Sequence, residues 1–263
     1  MPLTDTWDPT QYEKFRRERE QPFHDLLALV RPAPSMRVVD LGCGTGKQTR
    51  LLHDTLNARE TVGLDRSARM LQSAREEPPS DGLRFELGTI ESFPSDGTYD
   101  VIFSNAALHW IEAHHALIPR LVGALNPRGQ LAFQVPAMHL HPSHVVADEL
   151  AGTEPFRTAL GGWRRPQPVL EPEEYVRLLF RGGLDAPKVG VTIYPHVLGG
   201  REEVVEWMRG TLLTDYEKHL SPEHFEAFLA AYRERLLPEL EDTRPFLFPF
   251  RRILCWGQLS EPG

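Results

Sequence analysis

Little in this chain speaks of secretion, of a membrane or of a nucleic acid. Its 263 residues hold two cysteines, Cys43 and Cys255, far apart and in different contexts. No disulfide framework is expected, and a reducing cytoplasm is the simplest setting. The opening MPLTDTWDPTQYEKF lacks the basic cap and apolar core of a signal peptide. No apolar run approaches the length of a membrane span. Positive charge is not in excess: the formal net charge is −8, which argues against a broad nucleic-acid footprint. Repeats and low-complexity tracts are missing too. What is left is a soluble globular chain with a small molecule as its expected partner, long enough for one domain with a large insertion. No exposed apolar stripe separates itself from core, so oligomeric state is not read here.

The first half alternates strand-like and helix-like segments. Arg37–Leu41 (RVVDL), Thr61–Leu64, Arg84–Leu87, Val101–Ser104 and Gln130–Val135 read as strands. Lys47–Leu56, a segment after Ser67 bearing Met70, Leu71 and Ala74, and Leu117–Leu125 read as helices. Strands alternating with helices predict a Rossmann-like, doubly wound, mostly parallel α/β sheet. The pattern changes after Pro136. Residues 137–187 are rich in Pro, His, Gly and Trp and predict a helical cap inserted after the fifth strand. Val189–Tyr194 is strand-like again, helical material follows at about 199–245, and Arg252–Gln258 reads as the last strand. The cofactor-binding domain is thus 1–136 with 188–263. The cap folds over the carboxyl edge of the sheet and shapes a substrate pocket.

The first strand ends in Gly42-Cys43-Gly44-Thr45-Gly46. Glycine permits positive φ and lets a ligand approach the backbone. The following helix turns its free N–H groups toward that ligand. The G-x-G-x-G spacing is neither G-x-G-x-x-G nor a P-loop, which disfavours a pyrophosphate. Asp65 ends the second strand, nineteen residues after Gly46. A carboxylate there can accept both hydroxyls of a ribose, or it can simply cap the helix near Ser67.

VVDLGCGTG (38–46) followed by GLDRS (63–67) resembles the class I S-adenosylmethionine-dependent methyltransferases. Further stretches resemble the trans-aconitate 2-methyltransferase family across nearly the whole chain: WDPTQYEKFRREREQPFHDLL (7–27), FSNAALHWI (103–111), LNPRGQLAFQVP (125–136), PSHV (142–145) and VVEWMRGTLL (204–213). The resemblance implies S-adenosylmethionine as cofactor and S-adenosylhomocysteine as product. Gly42, Cys43, Gly44 and Gly46 would line the methionine moiety, with Asp40 at the base of the turn. Asp65 would hold the ribose, with Arg66 and Met70 flanking the adenine. Thr89 stands where the family has an acid for the adenine amino group, followed by Ile90. Asn105, Leu108, His109 and Trp110 would lie near the sulfonium. Tyr12 closes over the cofactor or packs in the core.

Methyl transfer is an in-line displacement that needs alignment and exclusion of water. A carboxylate acceptor needs no base but does need cations, typically Arg; an amine or phenol more often needs a base. Arg19 matches one arginine of the family pattern, whereas Gln21 and Thr214 stand where the family tends to carry two more. A trans-aconitate-like or less charged acid is therefore expected, with Trp163, Arg164 and Arg165 as an aromatic wall and replacement cations, or Arg164 and Arg165 as a solvated pair. His109 is either a general base or pocket floor. His139, His141 and His144 lack the companions of a metal site, and no metal is expected. The alternatives are methyl transfer to oxygen or nitrogen of another metabolite, a non-catalytic S-adenosylmethionine-binding protein, and, least favoured by the glycine spacing, a dinucleotide-dependent oxidoreductase.

Overall fold

The two valines of RVVDL are fully buried in the computed structural model, which describes residues 16–76, 78–94 and 98–260. Successive side chains of a strand point to opposite faces. Val38 accordingly enters one apolar cluster and Val39 the opposite one, so this strand, β1 (Arg37–Leu41), is covered on both sides. It pairs in parallel with β2 (Glu60–Asp65) and with β4 (Tyr99–Asn105). Outside them, β3 (Leu83–Leu87) extends β2 and β5 (Leu125–Pro136) extends β4, both in parallel. β7 (Phe246–Leu259) runs antiparallel to β5 and to the edge strand β6 (Leu184–Leu198). The order is β3-β2-β1-β4-β5-β7-β6, the doubly wound, mostly parallel sheet expected from the sequence.

On one face, α1 (Arg16–Leu27) and α2 (Lys47–Leu56) bury Phe23, Leu26, Leu52 and Leu56 against Val38, Phe103 and Trp256. On α2 the buried set is Thr49, Leu52, His53 and Leu56. This is one helical stripe that leaves Leu51 exposed. α3 (Ala68–Glu76) follows β2 and is capped by Ser67, whose Oγ accepts from the Met70 amide at 3.1 Å. On the other face, α4 (His114–Gly123) and α7 (Pro172–Arg181) bury Leu117, Ile118, Leu121, Tyr175 and Leu179 against Val39, Ile102, Phe133 and Ile253.

A third cluster lies beyond the carboxyl edge. It joins α5 (Pro142–Ala151) and α6 (Phe156–Ala159) to α8 (Glu202–Arg209), α9 (Leu213–His219) and α10 (Pro222–Leu236). Phe246, Phe248 and Phe250 belong to it. They sit on the stretch of β7 that runs past the last β5 pair, Pro136 with Arg252, while still pairing with β6. Pro195 and Pro249 face each other in this ribbon, a pairing that asks neither for an amide proton.

The structure shifts several expected boundaries. β7 begins at Phe246 rather than Arg252, because Phe246, Phe248 and Phe250 alternate inward with exposed Leu247. β6 likewise extends well beyond 189–194 on both sides. Leu125 opens β5 instead of closing the preceding helix. Composition groups 137–187 as one cap, yet α7 within it packs on the sheet through Tyr175 and Leu179; its amphipathic face matches the sheet's apolar surface. Capping helices before and after β6 share one core.

Candidate active site

Each glycine of the turn after β1 has a left-handed backbone: φ is +79° at Gly42, +55° at Gly44 and +73° at Gly46. A Cβ on Gly42 would collide with that of Ala107, and one on Gly46 would come within 2.6 Å of the Phe85 ring. Gly44 is different, because a Cβ there would meet nothing within 4 Å. Two of the three thus serve close chain packing, and Gly44 borders open space where a ligand can reach backbone.

That space is a cleft at the carboxyl ends of β1, β2 and β4. The structure brings Gly42, Gly44, Asp65, Arg66, Met70, Ile90, Asn105 and Trp110 together along it. Thr45, Leu64, Gly88, Glu91, Ala106, Ala107 and Ile111 also line it and escaped the sequence reading. Spacing alone marks none of these neighbours; Glu91, two residues past Thr89, carries the kind of acid expected at Thr89.

Asp65 caps the start of α3 and also lines the cavity. Its Oδ1 accepts from the Ser67 amide at 2.8 Å, and its Oδ2 accepts from the Gly44 amide at 2.8 Å. The carboxylate fixes the glycine turn to the end of β2 while lining the cavity. Each carboxylate oxygen can accept more than one bond.

Other expected residues lie elsewhere. Asp40 is buried under the turn, where its Oδ2 accepts the Thr49 hydroxyl at 2.6 Å; burial pushes its carboxyl up to about 7. The Cys43 side chain points toward Gly63 and the core rather than the cavity, and burial pushes its thiol up. Thr89 caps a short 3₁₀ turn, Ile90–Ser92, by accepting from the Ser92 amide. Leu108 is fully buried in the sheet's cluster. Tyr12 lies outside the described residues, as does the side chain of Arg19.

A second cavity, about 520 Å³, shares Asn105, Ala106 and Trp110 with the first and continues along His109, Gln134, Pro136, Trp207, Thr211, Phe250 and Arg252. A directed chain of hydrogen bonds crosses from one to the other. Arg252 Nη1 donates to Gln134 Oε1 at 3.1 Å, Gln134 Nε2 to Asn105 Oδ1 at 2.6 Å, and Asn105 Nδ2 to Gln48 Oε1 at 2.8 Å. Arg252 has no acceptor atom, so its donation fixes which way both intermediate amides face. It is 3% exposed, with its guanidinium 4.8 Å from the Phe250 ring centroid. A buried cation lining a cavity can hold an anion. Its signal was legible: Arg252 shares the parity of the inward phenylalanines of β7.

Trp110 and His109 sit on a 3₁₀ turn, Leu108–Trp110. His114 holds that turn with Nε2 at 2.9 Å from the Leu108 carbonyl and Nδ1 at 2.6 Å from the Tyr175 hydroxyl. Burial, joined by the charges of Arg165 and Arg252, holds the His109 imidazole well below its ordinary value. Of the cap residues, Trp163 stacks on His219 with centroids 3.8 Å apart and packs on the cap core, away from the second cavity. Arg164 is exposed and lies against Gly152. Arg165 instead turns inward: its Nε is 3.0 Å from Asp215 Oδ2 and its charge is felt at His109 and His144. At the two positions without the family arginines, Thr214 donates to the Thr211 carbonyl at 2.6 Å, and Gln21 donates to Asp25 on its own helix. Of the three histidines of 139–144, His141 and His144 share the Ser143 hydroxyl through their Nδ1 atoms. His139 pairs with Glu171, His141 caps α5, and His144 lies near Arg165.

Residues 32–173 match the family described as a methyltransferase domain. The chain is 40% identical to the trans-aconitate 2-methyltransferase of Deinococcus radiodurans, over 95% of this chain and 96% of that protein. It is 40% identical to the trans-aconitate 2-methyltransferase of Streptomyces coelicolor, over 99% of this chain and 89% of that protein. The crystal structure of the YcgJ protein from Bacillus subtilis shares the fold, with a TM-score of 0.62 at 18% identity over 92% of this chain and 100% of that one.

Proposed function

This chain belongs to the trans-aconitate 2-methyltransferase family of S-adenosylmethionine-dependent enzymes, and from that premise we propose that it methylates a carboxylate of a small organic acid. The acid is trans-aconitate-like or of lower charge. The observation that carries the reading is Arg252, buried in the wall of a cavity that shares Asn105, Ala106 and Trp110 with the cavity at the glycine turn.

When bound, S-adenosylmethionine supplies an electrophilic methyl group on a sulfonium. Gly44 would offer bare backbone to its methionine part, with Gly42 beside it, and Asp65 would accept from the ribose hydroxyls. Met70, Ile90 and Leu64 would flank the adenine, and Glu91, which lines the cavity where Thr89 does not, would accept from its amino group. Asn105, Ala106 and Trp110 border both cavities and stand at the point of transfer. Arg252 holds the acceptor carboxylate by charged hydrogen bonds and orients one oxygen toward the methyl. Trp110, Trp207 and Phe250 keep water from the line of attack.

His109 is a poor base in this setting, since burial and two arginines disfavour its protonated form. Its place beside Trp110, with ring centroids 4.7 Å apart, supports the role of cavity wall. A cytoplasmic location belongs to the same proposal, supported by the unpaired thiols of Cys43 and Cys255.

The test is a panel of small carboxylic acids, phenols and amines with methyl-labelled S-adenosylmethionine. We expect label in a base-labile methyl ester with the acids. Label appearing only in base-stable ethers or amines would reject the carboxylate reading.

A further inference from the structure

We infer that Tyr175 and His114 are positioning residues for methyl transfer, forming a buried hydrogen-bond relay that sets the turn bearing Trp110; this rests on the place given above to Trp110 at the point of transfer. Trp110 and Ala106 line both cavities, Ala107 and Ile111 line the first, and His109 lines the second. One short segment between β4 and α4 thus supplies wall to both. Its flanks are Ala106 at φ +54° and Ala113 at φ +57°. A residue with a Cβ rarely adopts this left-handed backbone, and keeps it only where the surroundings fix it. The segment therefore needs a brace from outside, and α4 and α7 each provide a part of one.

The direction of every bond in the relay follows from its two ends. The Leu170 amide can only donate, and it lies 3.3 Å from the Tyr175 hydroxyl oxygen. The Leu108 carbonyl can only accept. It takes the Ile111 amide at 2.9 Å and His114 Nε2 at 2.9 Å. Nε2 of His114 therefore carries the proton. Burial holds the ring neutral by lowering its pKa, which leaves a lone pair on Nδ1. The Tyr175 hydroxyl, 2.6 Å from Nδ1, is then the donor. Bonds aligned in one sense strengthen each other. Tyr175 is fully buried and His114 is 1% exposed, so bulk water does not compete for them. Tyr175 is itself seated edge-on against Phe133 of β5, with ring centroids 5.3 Å apart. The relay thus refers the Trp110 turn to the sheet and to the segment between α6 and α7 that carries Leu170. In-line transfer tolerates little misplacement: about 1 Å at the reacting centre can cost about a hundredfold in rate.

The experiment separates the two ring nitrogens. Asparagine at 114 can present an acceptor near the place of Nδ1 but does not reach Leu108, whereas glutamine can present a donor near the place of Nε2. His114→Asn, His114→Gln and Tyr175→Phe are compared with the wild type. The readouts are kcat and KM for trans-aconitate, the Kd of S-adenosylhomocysteine, and the emission of Trp110, taken as the difference between each chain and the same chain with Trp110→Phe. In His114→Asn, kcat should fall about tenfold or more, with KM and the Kd moving less than about threefold. His114→Gln should keep about fivefold more kcat than His114→Asn, and Tyr175→Phe should lie between them. Trp110 emission should shift in His114→Asn and Tyr175→Phe but not in His114→Gln. A packing role alone would lower the melting temperature without sorting asparagine from glutamine. Equal kcat in the two His114 variants, or wild-type kcat in His114→Asn and Tyr175→Phe, overturns the inference. If His114→Asn fails to bind S-adenosylhomocysteine, Tyr175→Phe, which removes a single oxygen, decides by its kcat. If the wild type esterifies no acid, the carboxylate reading has failed; Trp110 emission then decides the relay, which is overturned if asparagine and glutamine give the same spectrum.

Discussion

Arg252 and Gln134 stand on neighbouring antiparallel strands, and the guanidinium Nη1 donates to the amide oxygen at 3.1 Å. This contact is the first step of the chain that ends at Gln48, in the first turn of the helix following the glycine loop. The buried cation of the second cavity and the helix that follows the glycine loop are therefore joined by one hydrogen-bonded array.

Replacing Arg252 by Met should remove the acceptor's anchor. A charged hydrogen bond in a buried site contributes on the order of 1.5–3 kcal/mol, so kcat/KM for an acid should fall by roughly tenfold to a hundredfold or more. The dissociation constant of S-adenosylhomocysteine should stay near that of the wild type. Calorimetry on the variant checks this, and equal losses in both quantities would move Arg252 out of the acceptor site.

Asp65→Ala should weaken S-adenosylhomocysteine by about 1–3 kcal/mol through lost charged hydrogen bonds. It should also lower the melting temperature without any ligand, because the Gly44 and Ser67 amides lose their acceptor. A variant that binds weakly but melts like the wild type would show that Asp65 does not organise the turn.

Much of this was legible. Val38, Val39 and the alternation of strand and helix led to the doubly wound sheet, and the glycine turn and Asp65 meet in one cavity at its carboxyl edge. Thr89 was legible only as a position, because whether its hydroxyl meets a ligand or caps Ser92 depends on a local turn. Arg164 and Arg165 look alike in sequence. Asp215, fifty residues away in the chain, decides which of them turns inward. Gln134 and Thr211 carried no mark at all, since their roles arise from strand register and from the cap closing over the sheet edge.

Asp40 gives a pH effect of defined sign. Burial raises its carboxyl from 3.8 to about 7 in the fold, so the fold prefers the protonated form. That contribution is fully present below about pH 4 and is lost as pH rises through 7, on the order of 1.4 kcal/mol per pH unit in between. Asp40→Asn keeps an acceptor for Thr49 and carries no charge. Its melting temperature should gain on the wild type from pH 5 to pH 8, and parallel curves would count against the buried charge.

The cap histidines act in the other direction. Burial lowers His141 from 6.5 to about 4 and, with help from Arg165, His144 to about 3. Depressed bases contribute stability above pH 6.5 that is lost as pH falls toward 4 and 3. His141 also needs its neutral ring to accept the Ser143 amide at 3.1 Å. The urea midpoint should drop between pH 6.5 and 4.5, and His144→Gln should flatten that drop; an unchanged slope would place the acid sensitivity elsewhere.

The ribbon by which β6 and β7 outrun β5 works as a cantilever. Its free end is bedded in the cap's aromatic core, and its root is Arg252. Softening of the cap is thereby passed to the acceptor's anchor before it reaches β1, β2 and β4, which frame the cofactor cavity. Mild heating should silence methyl transfer while the cofactor is still held.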